Sequence, residues 1–379
     1  MGDKNILMVD LVGQYDKIKD EINQNIINSL QKGKFINGPI VKEFSQNLSN
    51  FLNVKHVIPC ANGTDALQIA YMALGLKSGD EIICPSWTYI STAEAAAIIG
   101  VKTIFCDVDP NTFNVTAEFI EPLITKKTKA IVVVHLYGQS CDMEPILNLA
   151  KKHNLKVIED CAQSHGATYK NKKAGSIGDA GCYSFYPTKI FGAYGDGGFI
   201  STNNEKLYDR MKRIRFLGME KKKMSSGHWN GKYYAVEHGT NSRLDEVHAA
   251  ILLKKLPYLD EWINRRRQIG KRYNDELKNL DIELPLEHPD NKHAYYIFVV
   301  AHPDRDKIMS KLSKKNIHLN ISYPWPIHIM DAYRHFVCSS CTCLTKTEEM
   351  AKKIFSLPMY PTLTDDEQGI VIKELKKLI

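Results

Sequence analysis

Along the first half of the chain, short β-rich runs alternate with stretches of helical length, and few architectures accept such a string. The strand-like runs are Val57 to Cys60, Glu81 to Cys84, Lys102 to Val108 and Ala130 to Leu136, continued by Lys156 to Asp160, Cys182 to Tyr186 and Gly198 to Thr202. Between them, Thr64 to Ala73, Thr92 to Ile99 and Glu144 to His153 carry apolar residues at helical spacing. The pattern predicts an α/β fold, a mostly parallel sheet joined by right-handed crossovers with helices on both faces. From Asp245 to Leu277 the chain becomes charged and apolar by turns with Pro257 as its one proline, which predicts one or two helices leading into a different unit. The expected division is a large α/β unit over residues 1–250 and a small α+β unit over 251–379, the latter with a strand at Tyr296 to Ala301. Lys221 to Lys232, rich in Lys, Ser and Gly, reads as a mobile excursion.

Bulk properties narrow the class of partner. A chain of 379 residues that is 44% hydrophobic can bury a large core. Its net charge of +7 is spread along the chain, which suits an anionic small molecule and implies no nucleic acid. The N-terminus, Met1-Gly2-Asp3-Lys4-Asn5, runs into a mixed polar segment, so neither a signal peptide nor a membrane span is expected, and a cytoplasmic setting fits. Nine scattered cysteines suit a reducing compartment, with Cys60, Cys84, Cys106 and Cys161 read as small core residues. Cys338, Cys341 and Cys343 invite a metal reading, but no fourth ligand follows at finger-like spacing, so a surface loop and no metal are expected.

Ligands collect at the carboxyl ends of parallel strands, so the loops that follow the strands are where chemistry is sought. After Cys60, Ala61-Asn62-Gly63-Thr64-Asp65 opens a helix whose amides and dipole suit a phosphate, though the same residues make an ordinary turn and N-cap. Pro85-Ser86-Trp87-Thr88-Tyr89 places an indole where it can either stack on a flat heteroaromatic ring or simply pack. Glu159 and Asp160 end a strand with Gln163 three residues on; an Asp there can keep a pyridine nitrogen protonated, or the two acids can be a capping pair. The fourth loop, Ser184-Phe185-Tyr186-Pro187-Thr188-Lys189, is followed by Gly192, Gly195, Gly197 and Gly198. A lysine set among small and aromatic residues can be desolvated enough to form a Schiff base, and Ser184 offers a hydroxyl to a phosphate. Together the loops supply a phosphate cradle, a ring stack, a pyridinium partner, a phenolic-oxygen donor and a Schiff-base lysine. A nicotinamide site is the natural competitor, but the glycines from Gly192 onward do not match G-x-G-x-x-G between a strand and a helix.

With those residues in hand, the chain resembles the DegT/DnrJ/StrS family of sugar-nucleotide aminotransferases, which belong to the fold-type I pyridoxal-phosphate enzymes. The likeness runs from Asn37-Gly38-Pro39 through Asn62-Gly63-Thr64-Asp65-Ala66-Leu67, Glu159-Asp160-Cys161-Ala162-Gln163 and the Ser184 to Lys189 loop. It continues in Gly239-Thr240-Asn241-Ser242-Arg243-Leu244-Asp245 and closes with Ser356-Leu357-Pro358-Met359-Tyr360-Pro361. The resemblance implies a seven-stranded-type sheet and pyridoxal 5'-phosphate, alternating with pyridoxamine 5'-phosphate, as cofactor. By the same likeness Lys189 is the catalytic Schiff-base lysine, Asp160 partners the ring nitrogen, Gln163 donates to the phenolic oxygen and Trp87 is the ring stack. Gly63, Thr64 and Ser184 match phosphate-binding positions, and Asn241 matches an asparagine that reaches the phosphate across a homodimer interface. L-glutamate is the implied amino donor. The Ser184 to Lys189 and Asn241 to Asp245 segments look more like members that aminate C3, typically of dTDP-3-keto-6-deoxyhexoses, than like members that aminate C4. Such a product is a dTDP-3-amino-3,6-dideoxyhexose for a surface glycan such as the O-antigen of lipopolysaccharide. C4 amination of a UDP-, dTDP- or GDP-4-keto sugar, or C3 amination of a UDP-3-keto sugar, is the alternative. Tyr186, Tyr323 and His328 are the expected sugar contacts, with packing in a polar loop as the other reading of the last two; Ser322 stands where the C3 pattern carries His.

Overall fold

The seven strands expected in the first half all form, and they join one sheet. In the computed structural model, which describes residues 5–220, 233–334 and 344–379, β1 (His56–Cys60), β2 (Glu81–Pro85), β3 (Lys102–Cys106), β4 (Thr128–Val134), β5 (Lys156–Asp160), β6 (Ala180–Ser184) and β7 (Gly198–Thr202) lie in the order β1-β7-β6-β5-β4-β2-β3. The Lys221 to Lys232 excursion and the Cys338, Cys341 and Cys343 cluster fall outside the described residues. The central strands read as continuous apolar runs because both faces are covered; Ala130 to Val133 of β4 and Ile82 and Ile83 of β2 are fully buried.

Strand β7 departs from the parallel pattern. It pairs antiparallel with both β6 and β1, so the other strands share one direction and only β7 is reversed. The reversal follows from its connection, since the 185–197 loop stays at the carboxyl end of β6 and turns straight back without a crossover helix. Three strands also end sooner than the apolar runs suggest, at Cys106, Val134 and Ser184, because the following residues leave the ladder to build loops at that same edge. The result is a row of strand ends, β1, β2, β4, β5 and β6, along one rim.

Helices make that rim chemically useful. Helix Gly63–Ala73 starts directly after β1, with the Asn62 side chain accepting from Asp65 N at 2.8 Å as its N-cap. Helix Ser91–Ala97 starts after the β2 loop and Met143–His153 follows β4. Beyond the sheet, the 245–277 segment forms two helices, Glu246–Lys255 and Leu259–Leu277, separated by a 3-10 turn at Pro257. Phe298–Ala301 pairs antiparallel with Ile354–Leu357, and helices Arg305–Ser313 and Asp365–Lys376 flank them around a separate core with Tyr273, Phe298 and Phe355.

The two units are stitched together in both directions. Ile6 donates to Asn316 O, accepts from His318 N and joins the C-terminal core, although it comes from the chain's start. Leu259 and Ile263 pack on the large unit while Ile269 and Tyr273 of the same helix pack on the small one. Asp107, just past β3, caps helix Thr345–Lys353 by accepting from Lys346 N at 3.0 Å, Thr347 N at 2.8 Å and the Thr347 hydroxyl at 2.6 Å. No described helix is long and apolar enough to cross a membrane. Asp107→Ala leaves those donors without a partner in a buried seam, so we expect urea denaturation to show a loss of about 2 kcal/mol with the sheet intact.

Candidate active site

A cavity of about 750 Å³ opens at the strand rim, and most of the expected residues line it. Gly63 and Thr64 enter from the helix after β1, Asp160 and Gln163 from the end of β5, Ser184, Tyr186 and Lys189 from the loop after β6, and Tyr323 from the small unit. The corner of the cavity at Gly63 and Ser184 is built by a close approach. A Cβ on Gly63 would stand 2.8 Å from Ser184 Cβ, so only glycine lets the first turn of the helix lie against the β6 loop. The Thr64 hydroxyl is 2.7 Å from Ser91 Oγ, which brings the N-termini of two helices to the same corner.

Asp160 and its neighbour Glu159 face opposite sides of β5, as strand geometry requires. Glu159 is fully buried and accepts from His135 Nε2 at 2.8 Å and from the backbone of Gly175, Ile177 and Gly178. Burial pushes its carboxyl up, but the His135 contact and those amides outweigh it and hold the group below the usual carboxylate range. Cys141 N donates to His135 Nδ1, which assigns the ring proton to Nε2. Cys161 lies beside this pair, but the imidazole and the carboxylate are already committed to hydrogen bonds. Asp160 turns instead toward the cavity. Its Oδ2 accepts from the Thr92 hydroxyl at 2.8 Å and its Oδ1 from Ala162 N at 3.1 Å. Burial drives its carboxyl above the ordinary value, opposed by the Ala162 amide, the Thr92 hydroxyl and the Lys189 charge.

Lys189 sits in a loop folded on itself. Its amide donates to Tyr186 O at 2.9 Å, Ala193 N returns to Phe185 O at 2.7 Å, and a Cβ on Gly192 would stand 2.4 Å from Pro187 O. The Lys189 amine lies 4.9 Å from the centre of the Tyr296 ring. Behind it, His165 is buried among Phe185, Phe191 and Phe199, where burial and the Lys189 charge push its imidazole down to about 3. Across the cavity the Gln163 amide is pinned: its Oε1 accepts from Tyr137 N at 2.7 Å, which turns Nε2 inward to the Tyr323 hydroxyl.

Three expected residues lie elsewhere. Trp87 is fully buried, edge-on to Phe113, and does not line the cavity; Tyr89, 58% exposed, does. The loop drops the indole into the core and leaves the later ring, Tyr89, at the rim of the cavity. His328 is also off the cavity wall, held between the Ser86 hydroxyl at 2.6 Å and Glu348 at 3.1 Å, and it fastens the Tyr323 loop to the β2 loop. Asn241 is exposed and outside the cavity of its own chain, beside Ser242, whose hydroxyl accepts from Ala61 N at 2.9 Å. Sequence reasoning also passed over Thr92, Tyr296 and Asn320. Tyr89 and Thr92 could have been flagged by position, since both border the helix start after β2 as Gly63 and Thr64 border the one after β1.

A strand-end lysine, a buried cavity-facing carboxylate and a helix-capped phosphate corner define an α/β enzyme of the pyridoxal-phosphate type. The chain belongs to the DegT/DnrJ/EryC1/StrS aminotransferase family, whose pattern matches residues 16–376. It is 39% identical over 372 residues to a dTDP-3-amino-3,4,6-trideoxy-alpha-D-glucose transaminase of Micromonospora megalomicea subsp. nigra, covering 97% of this chain and 96% of the relative. It is 38% identical to a UDP-2-acetamido-2-deoxy-3-oxo-D-glucuronate aminotransferase of Pseudomonas aeruginosa, covering 94% and 96%. The crystal structure of NtdA from Bacillus subtilis with bound cofactor PMP superposes with a TM-score of 0.87 at 33% identity, covering 96% of this chain and 82% of that one. The two aromatic positions are separable by experiment. Tyr89→Ala is expected to weaken pyridoxamine phosphate binding about tenfold with little change in melting, and Trp87→Ala to cost about 3–5 kcal/mol of stability by denaturant titration.

Proposed function

We propose that the chain is a pyridoxal-phosphate aminotransferase that moves an amino group from L-glutamate to a nucleotide-linked keto-sugar. What carries the reading is the placement of Lys189, Asp160 and the Gly63 to Ser184 approach in one cavity. When bound there, the cofactor supplies an aldehyde that condenses with amines and a ring that takes up electron density. Asp160 holds the proton on the ring nitrogen, Gln163 Nε2 donates to the phenolic oxygen, and Tyr89 packs on a ring face. The amides of Gly63 and Thr64 and the hydroxyls of Thr64 and Ser184 bind the phosphate at the helix N-terminus. With the cofactor bound, Lys189 Nζ would take the proton from the donor's α-carbon as general base and return it as general acid, and with the keto-sugar it would run the same transfer in reverse.

The acceptor we favour is a dTDP-3-keto-6-deoxyhexose, giving a dTDP-3-amino-3,6-dideoxyhexose for a surface glycan. The Micromonospora relative, named for a dTDP-3-amino sugar, supports this. The Pseudomonas relative, named for a UDP-3-oxo sugar, supports C3 amination of a UDP-3-keto sugar as the second reading. Tyr186 and Tyr323 line the cavity and are assigned to the sugar; His328 acts on it through the loop that it fastens. The exposure of Asn241 outside its own cavity fits a two-fold homodimer in which it reaches the partner's phosphate. We keep residues 1–250 as the cofactor-binding unit and 251–379 as its companion, with Ile6 crossing to the latter.

Lys189→Ala should melt like the wild type and lose glutamate half-reaction turnover by about a thousandfold or more; retention of full turnover would refute the assignment. Mass spectrometry of products from dTDP-3-keto, UDP-3-keto and UDP-4-keto sugars with L-glutamate is expected to show the dTDP-3-amino sugar as the preferred product. A UDP-3-amino product instead selects the second reading.

A further inference from the structure

The Asp160 carboxylate has two hydrogen-bond donors, and only one of them can be redirected. Ala162 N is fixed by the backbone. The Thr92 hydroxyl, fully buried at the start of helix Ser91–Ala97, lies 2.8 Å from Asp160 Oδ2, 3.2 Å from Tyr89 O and 3.3 Å from the Thr88 hydroxyl. It has one proton to donate. While Asp160 is ionised, the carboxylate is the strongest acceptor within reach and takes that proton. Once Asp160 is protonated, its own O–H donates to Thr92 Oγ1, and the Thr92 proton is free to turn to the Tyr89 carbonyl. Each arrangement is fully paired, so the hydroxyl serves both. The helix backbone at this residue is held independently, since the Tyr71 hydroxyl donates to Thr92 O at 3.0 Å.

We propose that Thr92 is a positioning residue whose hydroxyl holds the Asp160 carboxylate toward the ring nitrogen of the bound cofactor and, through its single proton, links the charge of that carboxylate to the Tyr89 loop. This rests on the cofactor reading above. The other groups facing Asp160 come from every element packed on it. Cys84 of β2, Cys161, Cys182 of β6, Tyr71 and Tyr323 have thiols and phenols that burial pushes up, so they stay uncharged near neutrality. Lys189 after β6 is the remaining group whose charge reaches it; His135 after β4 is turned to Glu159, which faces the other side of β5. None of these replaces a donor on Oδ2.

The test titrates pyridoxamine phosphate binding to the full-length apoprotein by calorimetry from about pH 5 to 9. Affinity falls as pH falls through the Asp160 titration, because the protonated acid no longer opposes the ring-nitrogen charge. Removing a donor from the carboxylate destabilises its charged form and moves that fall to higher pH. In Thr92→Val the midpoint should rise by about one unit, seen as about tenfold weaker binding on the acid side. Thr92→Ala should repeat the shift, which covers the case in which Val disturbs the packing. Thr92→Ser keeps a hydroxyl and should restore the wild-type profile. A midpoint unmoved in both Val and Ala variants, or moved as far in the Ser variant, overturns the role of Thr92. Wild-type protein that binds no pyridoxamine phosphate at any pH overturns the cofactor reading itself, and with it this proposal, so the two failures are told apart by which protein shows them.

Discussion

Glu159 is a carboxylate with no access to water, and its complete pairing sets the floor of the site. A buried unpaired charge is prohibitively costly, so the residue must gather donors: His135 Nε2 from the end of β4 and the amides of Gly175, Ile177 and Gly178 ahead of β6. Meeting that demand ties β4, β5 and the approach to β6 into one block. Because side chains alternate along a strand, it also fixes Asp160 on the opposite face, where a second carboxylate can meet a ligand. Asp160 has no such shell. A carboxyl raised by burial costs folding free energy that is absent below its unfolded pKa, grows as pH rises from the unfolded to the folded pKa, and is complete above the folded one. The chain thus keeps one acid satisfied so that its neighbour can stay under-satisfied and available.

The same division of labour recurs around Gln163. Tyr137 adopts a φ of 57° and Tyr323 a φ of 65°, left-handed values that disfavour bulky residues. Such conformations cost about 1–3 kcal/mol each and persist only where surrounding contacts over-determine them. Here Tyr296 N holds Tyr137 O at 2.9 Å and Ala294 N holds Gly138 O at 2.8 Å. The strain sets the Tyr137 amide against Gln163 Oε1 and the Tyr323 hydroxyl against its Nε2. Both tyrosines lie in loops at the cavity, one after β4 and one in the small unit, so the amide is gripped from both units.

Much of the site was legible because its residues sit at the ends of strands that the apolar runs announce. Gly63, Thr64, Asp160, Gln163, Ser184 and Lys189 are each tied to a strand end by a few residues of chain, which leaves little freedom in where they can go. The choice between Trp87 and Tyr89 was not legible. Both follow β2 by a short distance, and whether a ring enters the core or the rim depends on the space beside Phe113, a residue far from that loop in sequence. His328 was left open for a similar reason, since a histidine near a polar tyrosine loop reads equally as a contact or as packing, and its Ser86 and Glu348 partners are seen only in the folded chain.

By itself the sequence determined the alternation of strands and helices, the Gly63-Thr64 start of a helix after β1, and the identity of the lysine and carboxylate that meet at the rim. Those follow from local chain stiffness, hydrophobic period and short tethers, which act over a few residues at a time. Tertiary structure alone decided the reversed direction of β7, the core position of Trp87, the opposed fates of Glu159 and Asp160, and the Thr92 hydroxyl that meets Asp160. These depend on which distant segments supply a wall, a donor or a gap, and no period in the chain encodes a partner that far away.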